Sequence, residues 1–252
     1  MTVNELKYYA SLLQKKYRQR EKKFLVEGER LINESLSSDH LPERIFYTED
    51  FLRRNEYFIQ RLNELKVASE KIKSAEFQKI SETKNPQGIG AIFSYFHSPF
   101  PVDSTSKVAL ENISDPGNTG TIIRTAEWFG AKDIILSNDS AELYNPKTFR
   151  ATMGAAFHSN IIIPDDFYCT LELLKSSDYE ILCADMEGES LYNFEKKKKF
   201  VLVLSNEANG PGKQLLKIAD RKITIPKFGK TESLNVSAAA AILLSEFRRK
   251  SY

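Results

Sequence analysis

The chain has 252 residues, a formal net charge of +2 and 41% apolar residues, enough to fill one large or two small cores. It contains no apolar run near the ~20 residues that span a bilayer, no signal-peptide apolar core at its N-terminus, and two cysteines, Cys169 and Cys183, without CxxC spacing. A membrane span and a disulfide framework are thereby excluded and a cytoplasmic, reducing setting is expected, while His40, His97 and His158 stand apart from any ligand cluster, so no metal site is expected.

Leu6, Tyr9, Leu13 and Tyr17 recur at helical spacing and predict an amphipathic first helix. Lys15, Lys16, Arg18, Arg20, Lys22 and Lys23 crowd around Tyr17, a pattern suited to neutralising phosphates. A solvated helix face is the commoner meaning of such a run. Strands are expected at 24–26, 45–47, 66–68 and 88–93, with helices at 31–36, 49–63 and 75–80 between them. That alternation spells a small α/β domain over 1–97. Residues 98–106 carry two prolines and small polar residues and read as a linker.

A second α/β domain is expected over 107–252. Val108, Ala109 and Leu110 form a strand that runs into a loop ending at Gly120. Ile122, Ile123, Ala126 and Phe129 then make the apolar face of a helix, closed by Gly130 where a C′ glycine belongs. With the strand at 134–136 this is a parallel βαβ unit. Further strands are expected at 161–163, 181–184, 200–204 and 222–225, and a last helix at 234–247. The lysines at 196–199 read as a solvated loop.

Three polar loops of this half carry the candidate chemistry. In the first, Gly117 and Gly120 permit close approach of a ligand, Asn118 or Thr119 suits the helix N-cap, and Arg124 lies one turn on. Its glycine spacing is wrong for a dinucleotide fingerprint, which disfavours a nicotinamide enzyme. In the second, an apolar strand ends in Ser205, Asn206, Glu207, Ala208, Asn209 and Gly210. Open α/β sheets bind ligands at such carboxyl ends. In the third, Ser233 and Asn235 sit where a loop enters an Ala-rich helix and can cap its free N–H groups or face an anion. Taken singly, each has an ordinary structural reading as a cap, a turn or a surface charge.

Together, residues 118–130, 204–210 and 225–241 resemble, in order, the three motifs of the SpoU (TrmH) family of RNA ribose 2′-O-methyltransferases, in the SPOUT superfamily. The segment Asn145, Pro146, Lys147, Thr148, Phe149 and Arg150 is similar to the family's stretch between motifs one and two. The runs at 23–30 and 85–90 are similar to the ribosomal-protein-L30e-like substrate-binding domain of the family's ribosomal RNA members. The resemblance implies an α/β fold whose C-terminal domain is a trefoil knot with a parallel sheet, a homodimer built through the knot, and S-adenosylmethionine as cofactor. Ser205, Gly210, Ile225 and Leu234 would line the cofactor pocket. Arg124, Asn118, Glu207, Ser233 and Asn235 would face the ribose, with the arginine delivered to the other protomer's cofactor. Lys15, Lys16, Arg18, Arg20, Lys22, Lys23 and Arg150 are the expected RNA contacts. One departure is visible. Ser205 stands where the family usually has glycine, and a serine there crowds the cofactor or shifts the backbone.

The implied reaction is attack of a ribose 2′-oxygen on a sulfonium methyl group, on large-subunit (23S) ribosomal RNA. Arg124 is open to two roles, as a base or as a clamp on phosphate and oxyanion. The rival readings are a transfer-RNA 2′-O-methyltransferase of the same family and a non-catalytic RNA-binding or ribosome-assembly factor. Retention of Arg124, Glu207, Ser233 and Asn235 together argues against the last.

Overall fold

The computed structural model describes residues 1–98, 100 and 105–249; residues 99 and 101–104 of the expected linker lie outside the described residues. The chain divides into two compact units, Met1–His97 with Tyr144–Phe157, and Ser98–Leu143 with His158–Tyr252.

The first unit opens with α1 (Val3–Ser11) and α2 (Lys15–Glu21), where one continuous helix was expected. The break comes at residues 12–14, where Leu12 turns fully into the core and Arg18, 2% exposed, sends its guanidinium back to the Leu12 and Leu13 carbonyls at 3.0 and 2.7 Å. Arg18 therefore closes a helix end and is corrected from an RNA contact to a buried structural cation. There follow β1 (Lys23–Glu27), α3 (Glu29–Leu36), β2 (Arg44–Thr48), α4 (Glu49–Arg54), α5 (Glu56–Glu64), β3 (Ser69–Ile72), α6 (Ser74–Phe77) and β4 (Ile89–Ser94). The helix expected over 49–63 is split at Asn55, whose φ of −138° leaves the helical region. The third strand starts later than expected because Lys66 is left-handed (φ 54°) and the Val67 N–H still closes α5 on Leu62. The sheet is mixed, in the order β1-β4-β2-β3, with β4 antiparallel to both neighbours and β2 parallel to β3.

The second unit begins with β5 (Ser106–Glu111), α7 (Pro116–Trp128) and β6 (Asp133–Leu136). The chain then returns to the first unit as α8 (Pro146–Ala151) before β7 (Asn160–Ile162), α9 (Phe167–Ser176), β8 (Glu180–Ser190), β9 (Phe200–Ser205), α10 (Lys213–Ile218), β10 (Arg221–Thr224) and α11 (Val236–Arg249) complete the second. All six strands are parallel, ordered β10-β8-β9-β5-β6-β7. Strands buried on both faces read as unbroken apolar runs, and β9, with Phe200 to Leu204 all at most 4% exposed, is such a run. Ala109, Ile181, Val201 and Val203 pack with Phe167 and Leu171 of α9 and Leu215 of α10.

Residues 144–157, expected in the second domain, fold with the first unit for a reason visible in their side chains. Tyr144, Phe149 and Phe157 are buried among Phe24, Phe93 and Phe96; Tyr144 stacks on Tyr95 at 3.8 Å and Phe149 lies 4.9 Å from Phe24. Gly154, at φ +100°, sits against Glu34, where a Cβ would come within 2.5 Å of the Glu34 side chain.

Candidate active site

The register of the parallel sheet sets the site. β5 and β9 pair with Leu110 beside Leu204 and Glu111 beside Ser205, so two polar side chains meet at the carboxyl ends of two apolar strands. Glu111 is 1% exposed. Its Oε2 accepts the Ser205 hydroxyl at 2.8 Å and the Gly212 N–H at 3.0 Å, and its Oε1 accepts the Tyr168 hydroxyl at 2.7 Å. Burial and the Glu111 carboxylate push the Tyr168 phenol up to about 12, so it stays a donor at neutral pH. The Ser205 side chain is thus committed to Glu111. Sequence reasoning missed Glu111 and Tyr168; the signal available was a carboxylate closing the apolar run of β5.

Beyond Ser205 the loop turns through Asn206, whose side chain donates to the Asn112 carbonyl at 3.0 Å and whose Oδ1 accepts the Ala208 N–H. Glu207 then reaches two other loops. Its Oε1 accepts the Asn118 side-chain amide at 3.1 Å, the Asn235 amide at 3.0 Å and the Val236 N–H at 2.6 Å, and Asn235 also donates to Asn118 Oδ1 at 3.0 Å. The three sequence-distant loops therefore close on one carboxylate oxygen. Asp115 caps α7, its carboxylate accepting the Asn118 N–H at 2.8 Å, which leaves the Asn118 side chain for Glu207. This corrects the expected Asn118 or Thr119 cap; the Thr119 hydroxyl is buried and donates to the Ile113 carbonyl. Asn235 Oδ1 accepts the Ser237 N–H and hydroxyl and so caps α11. Both protons of its amide are also used, so the Asn235 side chain is committed to holding these loops together.

Beside this knot of side chains lies a cavity of ≈ 480 Å³ whose lining includes Ser205, Gly210, Ile225, Ser233 and Leu234. Its walls are chiefly apolar, from Leu204, Ile223, Val236 and Leu243, and its charged side chains are Asp185, Glu207, Lys227 and Glu232. Burial works to raise the Asp185 carboxyl, but the Lys222 ammonium 2.8 Å away and backbone N–H donors outweigh it and hold the carboxyl below the usual value. Burial pushes the neighbouring Cys183 thiol up to about 12, which removes it as a nucleophile. Ser233 is exposed and makes no hydrogen bond among the described residues. Arg124 is likewise exposed on α7 and outside the cavity lining, one turn from Trp128, which is 81% exposed.

The other expected RNA contacts divide. Lys15 and Lys16 are exposed, as are Arg20 and Lys22, whose charges lie over the Tyr17 and Tyr95 rings at 5.0 and 5.6 Å. Lys23 is paired with Glu43. Arg150, on α8, is half-buried within the first unit beside a small recess that Leu13, Glu27 and Glu82 also line. Among the described residues no group of three His, Cys, Asp or Glu side chains could hold a metal.

Residues 106–245 match the model of the SpoU rRNA methylase family, more than half of the chain. The chain belongs to the SpoU family. Residues 4–91 match an MRM3-like substrate binding domain, so the mixed sheet is that domain and the all-parallel sheet the SpoU domain. At 30% identity the chain is similar to the 23S rRNA (guanosine(2553)-2′-O)-methyltransferase of Bacillus subtilis, over 97% of this chain and 96% of that protein. It also superposes on a putative RNA methyltransferase of the TrmH family from Porphyromonas gingivalis, with a TM-score of 0.87, 31% identity and 99% of each chain covered. The AdoMet-bound rRNA methyltransferase of Sinorhizobium meliloti gives the same TM-score at 27% identity, covering 100% of this chain and 97% of that one.

Proposed function

We infer that this SpoU-family chain methylates a ribose 2′-hydroxyl of RNA with S-adenosylmethionine, and that its substrate is large-subunit ribosomal RNA. The observation that carries the reading is the convergence of the Asn118 and Asn235 amides and the Val236 N–H on one Glu207 carboxylate oxygen at the edge of the cavity. The cavity suits that cofactor, since it is mostly apolar with a few polar points, as a site for a flat purine with polar ends requires. When bound, the cofactor supplies an electrophilic methyl group. Ribosomal RNA is favoured by the substrate-binding unit and by likeness over 97% of the chain to an enzyme named for 23S rRNA.

What the chain's residues contribute is placement and charge. A guanidinium keeps its proton in proteins, so Arg124 is assigned to clamping the phosphate beside the target and stabilising the developing 2′-oxyanion, while the hydroxyl proton is released to solvent and the sulfonium leaves as a neutral thioether. Ser233, an exposed hydroxyl of the cavity wall, is assigned to hydrogen-bond the ribose. Glu207 and Asn235 act one step back, as positioning residues that lock the three loops. The exposure of Arg124 and Trp128 on one face of α7 supports a homodimer in which the arginine serves the partner's cavity. The return of the segment after β10 across the cavity to α11, which packs on α7, supports a trefoil knot. No described helix is long and apolar enough to cross a membrane.

The test is methyl transfer from labelled cofactor to large-subunit ribosomal RNA and, separately, to transfer RNA, followed by mapping of the 2′-O-methyl site. Transfer to the former is expected, and Arg124→Ala should lower kcat by about 10²–10³-fold. An Arg124→Lys variant with nearly full turnover would exclude fork-shaped recognition, and wild-type kcat in Arg124→Ala would remove Arg124 from the reaction. Transfer to transfer RNA alone would overturn the substrate assignment.

A further inference from the structure

Residues 205–212 form a loop that begins and ends on the same atom. Ser205, at its start, and Gly212, at its end, both donate to Glu111 Oε2, at 2.8 and 3.0 Å. The other carboxylate oxygen is held by Tyr168 from α9 at 2.7 Å. Glu111 is 1% exposed, and a buried carboxylate is tolerated where donors surround it. Between the two anchored ends the loop presents Glu207, which gathers Asn118, Asn235 and Val236, and Gly210, which lines the cavity. The packing leaves no slack at the clasp, for a Cβ on Gly212 would meet Glu111 Oε1 at 2.8 Å and the Tyr168 oxygen at 3.3 Å.

We propose that Glu111 is a positioning residue, a buried clasp that closes the 205–212 loop into a fixed ring, so that the cofactor wall and the Glu207 junction are preformed before any ligand arrives. The hydroxyl of Ser205 is part of that clasp. This rests on the cofactor reading above for its consequence, but the clasp is a property of the free protein. Its geometry needs acceptors facing Ser205 and Gly212 and tolerates a donor facing Tyr168, whose oxygen can also accept. Glutamine meets that requirement by turning its carbonyl toward the loop; alanine does not.

The test compares Glu111→Ala, Glu111→Gln and Gly212→Ala with the wild type. Amide exchange across 206–212 is followed in the free protein, and S-adenosylmethionine affinity is measured by calorimetry. Glu111→Ala and Gly212→Ala should speed exchange in the loop, and not in β5 or β9, by about tenfold or more, and weaken the cofactor Kd by a similar factor. Glu111→Gln should stay within about threefold of the wild type on both measures. If Glu111→Ala fails to fold, Gly212→Ala and Glu111→Gln still decide the matter. Wild-type loop exchange in Gly212→Ala, or a glutamine variant with the loop as loose as the alanine variants, would overturn the clasp. A wild-type protein that binds no S-adenosylmethionine would sink the cofactor reading instead, while the exchange data would still judge the clasp.

Discussion

Arg18 and its neighbours Lys15 and Lys16 carry the same charge within four positions of sequence, yet they do opposite things. Arg18 turns inward and donates to two carbonyls at the end of α1, which is how a helix C-terminus without intrahelical donors is satisfied. Lys15 and Lys16 face solvent. Arg18→Ala should cost about 2–3 kcal/mol, since buried hydrogen bonds from a charged group are lost and two carbonyls are left bare; chemical denaturation measures it. Lys15→Ala with Lys16→Ala should leave the denaturation midpoint in place, weaken RNA binding and flatten its dependence on log salt by about 0.7 per lost phosphate contact. A salt slope unmoved by the double substitution would take α2 out of the RNA interface. Spacing alone could not separate the three residues, because the break between α1 and α2 that turns Arg18 inward comes from the tertiary burial of Leu12.

Among elements, the segment around α8 has the least obvious home. It lies within the stretch that matches the SpoU family model, yet its aromatic side chains complete the core of the substrate-binding unit. Gly154 lets it turn there at a φ open chiefly to glycine. Gly154→Ala would combine backbone strain with a collision against Glu34 and should destabilise that unit by about 2–4 kcal/mol, read as an earlier loss of signal from its tyrosines during unfolding. The element scale also shows where sequence reasoning stops. The apolar runs of β5, β6 and β9 and the cap glycine at Gly130 were legible because they are local. So were Asn118, Glu207 and Asn235, as members of local motifs. Glu111 was not, since its role exists only through a register that sets it beside Ser205 and through Tyr168 on a distant helix. The split of 49–63 at Asn55 and the late start of β3 were equally hidden, because neither Gly nor Pro marks them.

At the scale of the whole molecule, the chain changes units at 97–98, at 143–144 and again at 157–158. Neither half of the sequence is therefore a self-sufficient body. A fragment of residues 98–252 should carry Tyr144, Phe149 and Phe157 without Phe24 and Phe93 to bury them. Strong binding of a hydrophobic dye and self-association on a sizing column are expected, both reversed on adding residues 1–97 in trans. A fragment that stays monomeric and dark to the dye would show that the segment repacks within its own half. The same threading imposes a timetable on synthesis. Ribosomes add ~5–20 residues per second, so the aromatic face of β1 and β4 stands open for seconds after it emerges, until the segment that ends at Phe157 follows. A slow codon in that interval would prolong the sticky state, so translation speed between the two units becomes a lever on aggregation separate from the stability of the finished fold.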